Sequence, residues 1–170
     1  MINLIKALLN YSQLTSDKTI LENIDLNEVI QTCQNNLSHL IKENYVQLIT
    51  SDLPIIQGNP TLLASLFQNL ITNSIKYRKH DEQLTISISA TALNQGSVEI
   101  HYKDNGIGFN LKYLDTILRP FGRIHNKKDY PGLGIGLPLC KKIIEKHGGQ
   151  LKIQSAENKG ALFEFDLKVG

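Results

Sequence analysis

The chain runs to 170 residues, 41% hydrophobic and 20% charged, with a formal net charge of +2 at pH 7, enough for one sizeable core and a small appendage. That charge excludes a dedicated nucleic-acid binder, which carries a much larger basic excess. No apolar run approaches the roughly 20 residues that span a bilayer, and the first residues lack the basic flank and compact apolar stretch of a signal peptide.

In chain order, Leu4, Leu8, Tyr11 and Leu14 predict an amphipathic helix over 2–14 that needs a partner surface. Ser16-Asp17-Lys18 breaks the pattern, and the segment up to Leu26 reads as a short edge strand. A second helix is predicted over 27–43, with Val29, Ile30, Cys33, Leu37, Leu40 and Ile41 on one face. Residues 45–50 read as a strand, and Pro54 and Gly58 as loop markers. Asn59-Pro60 starts a helix, an N-cap followed by proline at the first position, which its apolar residues carry to about Arg78.

Residues 84–92 and 97–103 predict a hairpin closed near Gly96. A helix over 138–146 ends at His147-Gly148-Gly149, and 151–154 and 161–169 finish the chain as strands. The sum is an α+β fold, a mixed sheet covered by helices on one face. Cys33 and Cys140 lack any zinc-type spacing and sit among aliphatic residues, which predicts buried free thiols in a reducing, cytoplasmic compartment.

Three segments carry candidate chemistry. On the helix over 60–78, Asn69, Asn73 and Lys76 lie along one stripe at spacings of four and three. Amide oxygens suit Mg²⁺, which takes few protein ligands, while Lys76 offers a point charge to phosphate and Tyr77 a ring to a base. Taken alone, the same stripe fits a solvated helix face. Asp104-Asn105-Gly106-Ile107-Gly108 follows a strand, where an aspartate accepts from an exocyclic amine and glycines admit a base; taken alone, it fits an Asx-type turn. Gly132-Leu133-Gly134-Ile135-Gly136-Leu137 precedes a helix and brings bare N–H groups to phosphate oxygens. Arg119, Arg123, His125, Lys127 and Lys128 fall between the two glycine segments.

The order Asn-x-x-x-Asn-x-x-Lys-Tyr, Asp-x-Gly-x-Gly, Pro120-Phe121 and Gly-x-Gly-x-Gly resembles the N, G1, F and G2 boxes of the sensor histidine kinase catalytic domain, within the superfamily of gyrase-type, heat-shock and mismatch-repair ATPases. The texture of Phe67–Ile71 and Tyr130–Leu137 is similar to phytochrome-type kinases. The resemblance spans about 25–168 and implies a two-layer α/β sandwich with ATP between a helix layer and a lid. It implies Asn73 as Mg²⁺ ligand with Asn69 beside it, Lys76 on phosphate, Tyr77 flanking adenine and Asp104 on its exocyclic amine. Gly106 and Gly108 would line the base pocket, Gly132, Gly134, Gly136 and Leu137 would face the phosphates, Phe121 would brace the lid, and Arg123 would reach phosphate.

Hydrolases of this superfamily usually carry a glutamate general base where this chain has Asn69, an amide that takes no proton at neutral pH. Transfer to a nucleophile from elsewhere is therefore expected. Asn59 and Ser74 replace the commoner Asp and Ala. None of His39, His80, His101, His125 and His147 has the context of a phosphoacceptor. Residues 1–20 resemble the end of a dimerisation hairpin, leaving 21–170 as the catalytic domain. The expected partners are a histidine-bearing hairpin, a response regulator receiver domain and a second copy of the chain. The rival expectations are a nucleotide-binding regulatory module without turnover and an anti-sigma-type serine kinase.

Overall fold

A computed structural model of the chain describes residues 20–94, 96–124 and 130–170. The elements are β1 (Glu22–Asp25), α1 (Leu26–Asn36), α2 (Ser38–Glu43), β2 (Gln47–Thr50), β3 (Ile55–Gly58), α3 (Pro60–Lys76), β4 (Thr85–Ala92), β5 (Ser97–Asp104), a 3₁₀ turn (Leu111–Tyr113), α4 (Leu114–Ile117), α5 (Gly136–Lys146), β6 (Leu151–Ser155) and β7 (Ala161–Lys168). Five strands form one sheet in the order β2-β4-β5-β7-β6, while β1 and β3 pair separately. Only β2 and β4 run parallel in the large sheet; its other pairs are antiparallel.

Strand alternation decides which side is buried. Ile86 and Ile88 of β4, Val98, Ile100 and Tyr102 of β5, and Phe163, Phe165 and Leu167 of β7 all point to one face. The helices cover that face with their own apolar stripes: Val29, Ile30 and Cys33 of α1, Leu66, Phe67, Leu70 and Ile71 of α3, and Cys140, Ile143 and Ile144 of α5. The result is the expected two-layer α/β sandwich. Both cysteines are buried and unbridged, and burial pushes the Cys33 thiol up to about 11.

Several boundaries differ from the sequence expectation. The helix predicted over 27–43 is two helices broken at Leu37, whose backbone (φ −102°, ψ 12°) is not helical. Gln34-Asn35-Asn36 is a weak helix-forming run, and beyond it the apolar face fails, with no buried residue in α2 and Leu40 exposed. Between the loop markers Pro54 and Gly58, Ile55–Gly58 is a strand because β1 supplies a partner from thirty residues away. Tyr45 stands outside β2 with φ +50°. α3 ends at Lys76, and α5 starts two residues early at Gly136, since proline in a first turn removes no helical hydrogen bond. The 3₁₀ turn and α4 were not foreseen. The helix predicted over 2–14, and with it the hairpin remnant, lies outside the described residues. Among the described residues, no helix is long and apolar enough to cross a membrane.

Candidate functional site

α3 is anchored at its start by Asn59, whose side chain accepts from the Leu62 N–H at 3.0 Å. A second anchor was not legible in the sequence. The buried ring of His147, at the end of α5, accepts from the Asn59 N–H through Nε2 (3.0 Å) and donates from Nδ1 to the Ile143 carbonyl (2.7 Å). The imidazole is thus held neutral, and burial lowers its pKa from the ordinary 6.5. These contacts fix α3 against α5 and so set the width of the cleft between them.

That cleft has a volume of about 590 Å³ and takes in the stripe Asn69, Asn73 and Lys76. The Asn69 amide donates to the Ser65 carbonyl one turn back at 2.7 Å, which commits its nitrogen and leaves its oxygen for the cleft. A Cβ built on Gly136 would lie 3.2 Å from Asn69 Oδ1 and 3.3 Å from Asn73 Nδ2, and one on Gly132 would lie 2.7 Å from Lys76 Nζ. The glycine segment therefore passes directly over the polar stripe, and side chains at these positions would fill the gap. Among the described residues no side chain caps the first turn of α5, so the N–H groups of Gly136 and Leu137 face the cleft without helical partners.

The floor is made by β5. Its alternation carries Val98, Ile100 and Tyr102 inward, and the next inward position is Asp104, only 8% exposed. One carboxylate oxygen, Oδ1, accepts from the N–H groups of Gly106 (2.9 Å) and Ala161 (3.2 Å); Oδ2 accepts from the Ser74 hydroxyl at 2.7 Å. Burial pushes the Asp104 carboxyl up from its ordinary range, and these three donors pull it back, Ser74 most. Gly106 sits under the Tyr77 carbonyl, which accepts from the Ile107 N–H at 2.9 Å. Gly108 has φ +59°, and a Cβ there would run into the Ala156 carbonyl, so this position admits only glycine. Asn105 faces away and braces the strand, accepting from the Thr85 N–H and donating to the Gln83 carbonyl.

The wall opposite is thinner. Phe121, half exposed with φ +66°, donates its N–H to the Gly134 carbonyl at 2.9 Å. The Arg123 guanidinium, expected at phosphate, instead donates to the carbonyls of Gly132 and Tyr130. The Tyr77 ring, expected at adenine, packs on Tyr130 with centroids 5.0 Å apart, and Lys76 Nζ lies 4.6 Å from the Tyr77 centroid. His125, Lys127 and Lys128 lie outside the described residues. The structure thus gathers Asn69, Asn73, Lys76, Tyr77, Asp104, Gly108, Arg123, Gly132, Gly134, Gly136 and Leu137 around one cleft, with Gly106 and Phe121 outside its lining. It adds Ser74 and Ala161, which the sequence reading did not use; the alternation of β5 and β7 carries the signal for Ala161.

Residues 58–170 match the model of the family described as histidine kinase-, DNA gyrase B- and HSP90-like ATPase. The chain is similar to cyanobacterial phytochrome A of Nostoc sp., 35% identical over 98% of this chain and 22% of that protein. It is also similar to the sensor protein kinase WalK of Staphylococcus haemolyticus, 30% identical over 94% of this chain and 27% of that one. It thus spans about a quarter of the length of these relatives or less. Among solved structures it shares its fold with full-length ShkA in complex with AMPPNP (TM-score 0.82, 20% identity, 99% of this chain and 36% of that one). The catalytic domain of histidine kinase ThkA has the same fold (TM-score 0.73, 22% identity, 89% and 99%).

Proposed function

Because the chain belongs to the histidine kinase-, DNA gyrase B- and HSP90-like ATPase family, we propose that its cleft binds ATP with Mg²⁺ and delivers the γ-phosphate to a histidine carried on a separate helical hairpin. The observation that carries this reading is the facing of two sets of groups across one cleft: Asn69, Asn73 and Lys76 on α3, and the glycine segment with the bare first turn of α5. Asp104 at the floor gives the base its address.

The donor set fits the metal. Asn73, with Asn69 beside it, offers neutral hard oxygens and leaves room for water and phosphate ligands. When bound, Mg²⁺ neutralises phosphate charge and orients the γ-phosphoryl group. Lys76 adds a cation on the same side, and the N–H groups of Gly136 and Leu137 add dipoles, all placed before the reaction. In the transfer itself a nitrogen–phosphorus bond forms on the acceptor imidazole as the bond to the bridging β-oxygen breaks, and ADP leaves. Asn69 cannot take a proton from water, so the chain lacks the usual hydrolytic base at that position and favours an acceptor that is itself the nucleophile. Gly132, Gly134 and Phe121 serve the lid, and Arg123 holds its shape. We further infer a cytoplasmic setting, with a second copy of the chain and a response regulator receiver domain as partners.

The test is incubation of the chain with labelled ATP, Mg²⁺ and a helical hairpin bearing an acceptor histidine. Acid-labile phosphate on the hairpin supports the kinase. Acid-stable phosphate on serine would favour the anti-sigma type, and tight ATP binding without transfer a regulatory module.

A further inference from the structure

Ser74 occupies a place that a small apolar residue would fill. It is 3% exposed, sits on the sheet-facing side of α3 rather than on the Asn69–Asn73 stripe, and touches two buried polar groups from β5. Its Oγ lies 2.7 Å from Asp104 Oδ2 and 2.9 Å from the Tyr102 hydroxyl, and Tyr102 is fully buried. The proton count sets the direction. An ionised carboxylate only accepts, so Ser74 donates its single hydroxyl proton to Asp104, and Tyr102 donates its own to Ser74. Burial holds the Tyr102 phenol well above its ordinary range, which keeps it a donor.

The chain Tyr102–Ser74–Asp104 therefore ends on one oxygen of the residue proposed to read the base. Gly106 and Ala161 hold the other oxygen. Asp104 lines the cleft, and with Oδ1 satisfied twice and Oδ2 once, Oδ2 keeps the larger unused acceptor capacity. We propose that Ser74 is a positioning residue for base selection: by holding Oδ2 of Asp104 as an oriented acceptor, it makes the cleft take a purine with an exocyclic amine at C6 and reject one with a carbonyl there. A 6-oxopurine would set oxygen against oxygen with no proton between them, and a buried polar mismatch of this kind discriminates strongly. This inference rests on the reading of the cleft as a nucleotide site.

The experiment compares the Mg²⁺ complexes of ATP and inosine triphosphate by calorimetry on the full chain. It uses wild type, Ser74→Ala and the double variant Ser74→Ala/Tyr102→Phe. Ser74→Ala leaves the Tyr102 hydroxyl buried without its acceptor and is expected to lower thermal stability. The double variant removes the stranded Tyr102 hydroxyl and recovers that part of the loss, while Asp104 keeps only the Gly106 and Ala161 donors. In both variants the preference for ATP over inosine triphosphate is expected to fall about tenfold, through weaker ATP binding. Loss of preference in the folded double variant, together with its return in Ser74→Thr, supports the positioning role. A double variant that is stable and discriminates like wild type overturns it. If wild-type chain binds neither nucleotide, the reading of the cleft fails along with the inference; if wild type binds both equally, the base-reading role of Asp104 fails and Ser74 has nothing to position.

Discussion

On the α3–β5 side of the cleft, the groups that define the floor are held by partners that are themselves buried. Asp104 is gripped by Ser74, Gly106 and Ala161, and Ser74 by Tyr102. On the opposite side, Phe121 and Arg123 hold the glycine segment through backbone carbonyls, and both are partly open to water. Bonds among buried groups are hard to exchange, because each alternative leaves a polar atom without a partner. Bonds from exposed groups to carbonyls exchange with water at little cost. The end of the cleft proposed to take the base is thus set in advance, and the end proposed to take the phosphates is able to re-form around what it binds.

The largest expected effect is at Asn73. Asn73→Ala should weaken ATP–Mg²⁺ binding at least about a hundredfold, since it removes a ligand outright where even outer partners cost about 10- to 100-fold. Titration with and without Mg²⁺ checks this, and an unchanged affinity in Mg²⁺ would remove Asn73 from the metal.

Next comes Asp104→Asn, expected to lose about 10- to 100-fold for ATP, in line with a lost bond to a charged group. Binding of inosine triphosphate should change much less. Equal losses for both nucleotides would mean that the floor is merely structural.

Arg123 probes the other wall. Its guanidinium donates to the Gly132 and Tyr130 carbonyls, and if its role is to shape the segment, Arg123→Ala should weaken ATP and ADP alike, about two- to fivefold. A loss confined to ATP would show that the guanidinium turns to the γ-phosphate, and would sharpen the contrast between the two walls.

The smallest effect concerns pH. Burial lowers the folded pKa of His147 below 6.5, so just below that value the unfolded chain binds a proton that the native ring refuses. Its contribution is complete above about pH 6.5 and falls as the pH drops toward the folded value. Urea unfolding between pH 5 and 8 should therefore show a steeper acid loss for wild type than for His147→Gln. Equal slopes would show that the ring is not held neutral by its two bonds.

The polar stripe of α3 was legible because it rests on helical spacing and on a start signal, Asn59-Pro60, both local. The glycine segment was legible for the same reason. What the sequence could not carry were partnerships across the fold. Ser74 meets Asp104 thirty residues on, Asn59 meets His147 eighty-eight residues on, and β3 exists because β1 pairs with it. Arg123 adds a partnership of the same kind: it was read beside a phosphate motif, and its bonds to the Gly132 and Tyr130 carbonyls carry no signal in the sequence.

The two sides of β5 show how little separates the group proposed to read the base from an ordinary one. On the outer side His101 lies between Glu99 and Glu164, 3.7 and 3.4 Å away, and Lys152 reaches Glu99 at 3.2 Å: a polar cluster on the sheet's open face. Asp104 differs from those residues in parity, not in kind. Inserting one residue between Val98 and Asp104 without a compensating bulge would swing the carboxylate out to solvent while every residue of the cleft remained in the sequence. If Asp104 is the address of a nucleotide, that address is written in the counting of the strand as much as in its letters, and such a chain can go silent with all of its motifs intact.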